Sequence, residues 1–127
     1  MTTIDSQQAL RFRFGHLLSG TTFDVPPGWC RIIEMMLEDV ATITGTTEGT
    51  DDPMHRWRSI ERKPEGLAVV HCGPADARVD GVIDSATQLA ESTCECCGAD
   101  GQRGWRSVSG VRCTLCAFEE RLAEDFA

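Results

Sequence analysis

The sequence predicts an α+β fold in which helices pack on a small antiparallel hairpin and a zinc ribbon finishes the C-terminal part. Three observations point there: an apolar stripe at helical spacing from Trp29 to Ile43, two β-type runs around Lys63-Pro64-Glu65-Gly66, and cysteine pairs at Cys94/Cys97 and Cys113/Cys116. At 127 residues the chain suffices for one folding unit, with residues 1–93 as an α+β core and residues 94–127 as a ribbon and C-terminal helix packed on it.

The elements follow in order. Residues 5–19 read as a first helix, capped by Asp5 or Ser6, with Leu10, Phe14, Leu17 and Leu18 on one side and Gly20 at its end. TTFDVPP reads as a loop. The clearest periodic segment comes next: Trp29, Ile32, Ile33, Met36, Leu37, Val40 and Ile43 recur at three and four residues, with Arg31, Glu34, Glu38 and Asp39 outside. That pattern marks a core-facing helix. GTTEGTDDP is rich in turn formers and acids and reads as an exposed loop, and HRWRSIER and GLAVVHC form the hairpin. A third helix is expected from Val79 to Thr93 through Val82, Ile83, Ala86, Leu89 and Ala90. After the cysteines, Leu115, Phe118, Leu122 and Phe126 form a last stripe, expected to dock back on the domain. Cys30 and Cys72 are expected in the core.

Composition narrows the function. Hydrophobic residues at 41% and charged residues at 25% suit a globular chain and disfavour disorder or a fibrous repeat. A formal charge of -8 argues against a protein that holds nucleic acid mainly by neutralising phosphates, and favours solubility or a basic partner. No run approaches the roughly 20 apolar residues of a membrane span. Arg11, Arg13 and His16 interrupt what would be the apolar region of a signal peptide. The reading is therefore cytoplasmic, where clustered thiols stay reduced and more often bind metal than form disulfides.

Five of the seven cysteines fall within residues 94–116. Cys94 and Cys97 form C-x2-C followed by Gly98, and Cys113 and Cys116 form a second C-x2-C after fifteen intervening residues. A two-residue gap with a glycine for the turn lets both thiolates of a knuckle face one tetrahedral Zn2+, and two knuckles supply four ligands. The expectation is one structural Zn2+ on Cys94, Cys97, Cys113 and Cys116, with Cys96 as a bystander or a replacement for one of them. Arg103, Arg106 and Arg112 would offset the charge of a four-thiolate centre.

The ordered set "PPGWCRIIEMMLEDV", "IERKPEGLAVV", "LAESTCECCGADG" and "CTLC" resembles a group of small bacterial and phage proteins of largely unassigned function. Their pattern is a Gly-Trp helix, a hairpin like I-K-x-K-F-G-x-L-R-F, a helix ending in S-x-x-C-x-x-C-G, and a terminal T-L-C. The likeness spans roughly residues 28–118. The histidine that often follows the last cysteine of that pattern falls here on Glu119, an alternative fourth ligand, and Pro64-Glu65 stands at the Phe-Gly turn. The resemblance implies a phage, prophage or mobile-element setting and no established enzyme activity.

Catalytic signals are thin. His71 and Cys72 are strand neighbours pointing to opposite faces, His16 and His55 stand alone, and no nucleophile-elbow, zinc-protease or phosphate-loop motif occurs. The expected function is non-enzymatic: a small acidic zinc protein that binds and inhibits a macromolecular partner. It would be a host-defence inhibitor of the anti-CRISPR or anti-restriction kind, or an immunity protein for a basic toxin. Asp51, Asp52, Glu119, Glu120 and Glu124 are the acids expected to meet that partner. The alternative is nucleic-acid binding through Arg56, Arg58, Arg62 and Lys63 with Trp57, and Arg103, Arg106 and Arg112 with Trp105.

Overall fold

The Trp29-to-Ile43 stripe forms the spine of the core. In a computed structural model, which describes residues 4–18, 20–45, 56–103 and 110–125, a single 3-10 turn at Pro27–Trp29 opens into helix α3, Cys30–Thr44. A proline early in the turn supplies the φ a helix start needs, and Gly45, at φ 73°, ends the helix in the left-handed conformation. Trp29, Ile32, Ile33, Met36, Leu37 and Val40 are buried along one face and Ile43 is packed against them. Ile33 and Leu37 are fully enclosed, each worth about 1.5–3 kcal/mol relative to exposure.

Ahead of this spine, α1 spans Ile4–Arg13 and α2 spans Gly15–Leu18. The single helix expected over residues 5–19 is interrupted at Phe14, beside a glycine of low helix propensity. The i to i−4 bonds still run through it, from Phe14 N–H to Leu10 and from Leu18 N–H to Phe14, each 2.9 Å. Leu10, Phe14 and Leu18 therefore stay on one buried side.

The sheet is mixed, not a bare antiparallel hairpin. Strands β2, Arg56–Lys63, and β3, Gly66–Cys72, pair antiparallel around Pro64-Glu65, with a register shift between Trp57 and Ser59. The TTFDVPP segment, expected as a loop, contributes β1, Thr22–Asp24, which pairs parallel to β2 through Thr22↔Ser59, Phe23↔Ile60 and Asp24↔Glu61. Burial alternates along β1, with Phe23 in and Thr22 and Asp24 out, and pairing with β2 fixes its register. The Thr21 hydroxyl donates to the Trp57 carbonyl at 2.5 Å, and the Arg11 guanidinium donates to the Phe23 carbonyl at 3.1 Å. Trp57, Ile60 and Leu67 join the same buried core.

Helix α4, Ala77–Ala90, packs on α3 and β3. The Asp76 carboxylate caps it by accepting from the Arg78 N–H at 2.9 Å. Val79, Ala86 and Ala90 are buried, but Leu89 is 47% exposed, contrary to its expected place in the stripe. Beyond it lie β4, Gln102–Arg103, paired antiparallel with β5, Val111–Arg112, and then α5, Thr114–Asp125. Helix α5 rests on β5. Leu115 and Phe118 are 66% and 55% exposed, so the described part of the last stripe does not dock as expected. Helical spacing identifies an apolar face but not whether a partner covers it. Among the described residues, no helix is long and apolar enough to cross a membrane.

Candidate metal centre

The first knuckle begins where α4 ends. Thr93 and Asp100 form an isolated antiparallel bridge, the Cys94 N–H donates to the Ala99 carbonyl at 2.7 Å, and the Gly98 N–H returns to the Cys94 carbonyl at 2.9 Å. Gly98 adopts φ 83°, the left-handed conformation that closes this turn without a Cβ penalty. Inside the loop the N–H groups of Cys96 and Cys97 point at the Cys94 sulfur, as does the N–H of Cys113. The second knuckle is the start of α5, where the Cys116 N–H reaches the Cys113 sulfur at 3.4 Å. The β4–β5 ribbon and the bond from Glu95 N–H to the Val111 carbonyl, 2.9 Å, bring the two knuckles together.

The four sulfurs of Cys94, Cys97, Cys113 and Cys116 lie within 4.8 Å of one another, and Cys97 and Cys113 are 3.6 Å apart, sulfur to sulfur. Four thiolates at about 2.3 Å from one tetrahedral ion would be about 3.8 Å apart, so these residues fit a single thiophilic metal ion. Cys94 is buried, Cys113 and Cys116 are half-buried and Cys97 is exposed. Neither Cys96, which is exposed, nor Glu119 belongs to the group.

Electrostatics divide the thiols. Burial works against a Cys94 thiolate, but the N–H groups of Cys113, Cys97 and Cys96 outweigh it and bring the pKa down to about 6. The Ala99 N–H favours a Cys97 thiolate, yet Cys113 and Cys94 press the other way and leave its pKa raised. Cys116 is raised most, first by Cys113 and then by Cys94, which hold its proton in place. The Cys94 sulfur is thus poised as an anion while Cys97 and Cys116 keep protons that a metal ion would displace.

The knuckle is clasped to the core by the Gly28-Trp29 pair. The Gly28 N–H donates to the Glu95 carbonyl at 2.7 Å, and the Trp29 indole N–H donates to the Thr93 carbonyl at 3.0 Å. A Cβ on Gly28 would collide with the backbone of Cys94 and Glu95, so only glycine permits this approach. The sequence singled out this pair as a motif without indicating its role.

Glu95 is the residue that sequence reasoning missed. It is only 4% exposed, and its carboxylate accepts from Arg62 Nε at 2.8 Å and from the Val111 N–H at 2.5 Å, with Arg112 Nη1 3.6 Å away. A Cβ on Gly110, at φ 111°, would strike this carboxylate. Nothing local announces such a site, because Arg62 lies 33 residues upstream.

Arg56 and Arg58 are exposed on β2, whereas Arg62 is engaged with Glu95. Glu119 is exposed on α5; Glu120 and Glu124 lie on the same helix and Arg103 on β4, their side chains outside the described set. Asp51, Asp52, His55, Trp105 and Arg106 lie outside the described residues. Cys30 is buried, its thiol donating to the Pro26 carbonyl at 3.9 Å, and burial pushes its pKa up. Cys72, expected in the core, is exposed at the end of β3 opposite Arg56. Leu67 and Val69 set the inward phase of β3, so Cys72 shares the outward face with exposed Val70. His71 packs against Trp57 with ring centroids 4.7 Å apart.

Comparison of the chain with protein-family models, curated proteins and solved structures yields no match in any of the three. The resemblance to bacterial and phage proteins accordingly stands on its quoted motifs, and the four-cysteine cluster is the part of it that the fold displays.

Proposed function

We propose that this chain is a non-enzymatic, zinc-stapled interaction protein that binds and inhibits a macromolecular partner with a basic surface. The observation that carries the reading is the closed set of four sulfurs. Cys94, Cys97, Cys113 and Cys116 would hold one Zn2+, and four thiolates leave no open position for a catalytic water. The metal's contribution is then to the fold, which leaves the surface to carry the function. A charge of -8 supports attraction to a basic partner, and the motif resemblance supports a mobile-element setting, with a defence inhibitor or an immunity protein as the concrete forms.

The alternative, nucleic-acid binding, draws on exposed Arg56 and Arg58 but loses Arg62 to the Glu95 pair. An affinity pull-down of tagged protein from its host lysate, with and without nuclease, separates the two. A single stoichiometric protein that survives nuclease and dissociates at raised salt is the expected result. Recovery that vanishes with nuclease would replace this reading with the alternative. Reversing the charge of Asp51, Asp52, Glu119, Glu120 and Glu124 together should weaken that capture at least tenfold, and unchanged capture would remove the electrostatic basis.

A further inference from the structure

We infer that Glu95, held by Arg62, is a positioning residue for the four-cysteine site: it sets where the second knuckle stands relative to the first. The inference rests on the zinc reading above. Glu95 lies between Cys94 and Cys97 in the chain, yet its N–H and one carboxylate oxygen both reach the opposite strand. Its N–H donates to the Val111 carbonyl at 2.9 Å, and its carboxylate accepts the Val111 N–H at 2.5 Å. One residue thus satisfies both backbone groups of Val111, two positions before the ligand Cys113. The register of β5 against the first knuckle is set by a side chain as well as by the main chain.

The carboxylate would not be stable there alone. A buried anion needs paired, hydrogen-bonded cations, and Glu95 has Arg62 from β2 at 2.8 Å and Arg112 from β5 at 3.6 Å. Arg62 reaches from the three-stranded sheet, whereas Arg112 and Val111 belong to the strand that leads into Cys113. The carboxylate therefore joins three parts of the chain at one point: the sheet, the first knuckle and the strand before the second. Gly110 makes room for it, since any side chain there would meet both the carboxylate and the Arg62 guanidinium. Groups hydrogen-bonded directly to metal ligands typically change metal affinity by about 10- to 100-fold when lost, and Glu95 acts one bond further out, through the strand that carries Cys113.

The test is zinc transfer from the loaded full chain to a chromophoric chelator, followed over time in wild type, Glu95→Gln, Arg62→Met and Arg62→Lys. The control is Ile33→Val, which weakens the apolar core and removes none of the hydrogen bonds at the knuckles. Glu95→Gln and Arg62→Met should speed transfer at least about tenfold. Arg62→Lys should recover part of the loss, and Co2+-loaded Glu95→Gln should keep the absorption of four-sulfur coordination. Transfer within twofold of wild type in both Glu95→Gln and Arg62→Met would overturn the inference, and so would an equal acceleration in Ile33→Val, which would reduce the effect to general stability. If one variant does not fold, the other still decides. A wild type that takes up no zinc would instead refute the zinc reading itself, and this inference with it.

Discussion

The two halves of this molecule are held by different physics. From Leu10 to Ala90 the chain is organised by apolar burial: Trp29, Ile33, Met36, Leu37 and Ile60 meet in one core to which both N-terminal helices, the sheet and α4 contribute. Beyond residue 93, Cys94 and Val111 are the only buried apolar side chains among the described residues, and neither joins that core. Order there comes from N–H groups aimed at sulfur, a buried carboxylate between arginines, and glycines that allow backbones to approach closely. A core built by burial tolerates small defects one at a time. A region built from a few directional contacts depends on each of them, and it is where a metal ion adds most.

The largest test of that contrast is Cys94→Ser. It should reduce bound zinc from one equivalent to none, read by native mass spectrometry, and lower Tm by more than any single core truncation. Because Gly28, Trp29 and Arg62 tie the knuckle to the core, the loss should spread beyond the β4–β5 ribbon in amide hydrogen exchange. Protection lost only after residue 93 would show that the clasp transmits nothing. Next in size, Leu37→Ala should cost about 2–5 kcal/mol in urea unfolding while leaving the rate of zinc transfer unchanged. A faster transfer in that variant would blur the division between the halves.

Gly28→Ala tests the junction itself. The added methyl would overlap backbone and not a flexible side-chain end, so a cost of about 1–3 kcal/mol is expected, accompanied by weaker zinc retention. A neutral result in both readouts would show that the clasp can shift aside. The gentlest perturbation is pH applied to metal-free protein. Cys94 has a folded pKa of about 6 against an ordinary value of 9.0, so its contribution is complete above pH 9 and fades as pH falls through 6. Cys97 and Cys116 are shifted the other way, so theirs is complete below pH 9 and fades only as pH rises through their raised values. Urea midpoints should therefore fall between pH 9 and pH 6 relative to Cys94→Ala, and parallel curves would contradict the poised thiolate.

The sequence was informative where one residue's neighbours in the chain are also its neighbours in space. The α3 stripe is read from its own spacing, and the four cysteines from the two-residue gaps that a knuckle requires. Legibility failed where a partner lies far away. Strand β1 is short, and its pairing and register are set only beside β2. Leu89, Leu115 and Phe118 have the spacing of buried residues but stand exposed. Glu95 looks like a solvent-exposed acid until Arg62 is placed beside it. Cys72 was misplaced because GLAVVHC, apolar at nearly every position, does not reveal which of its two faces turns inward.

The hydrogen bond from the Trp29 indole to the Thr93 carbonyl also matters during synthesis, because it spans 64 residues. At about 5–20 residues per second, roughly 3 to 13 s pass between the making of the helix start and the making of its acceptor. Throughout that interval the most apolar helix of the chain exists without the contact that fixes its first turn. Only once Thr93 has been made can the start of α3 be tied to the first knuckle, so the joint between the two halves closes late in the order of synthesis.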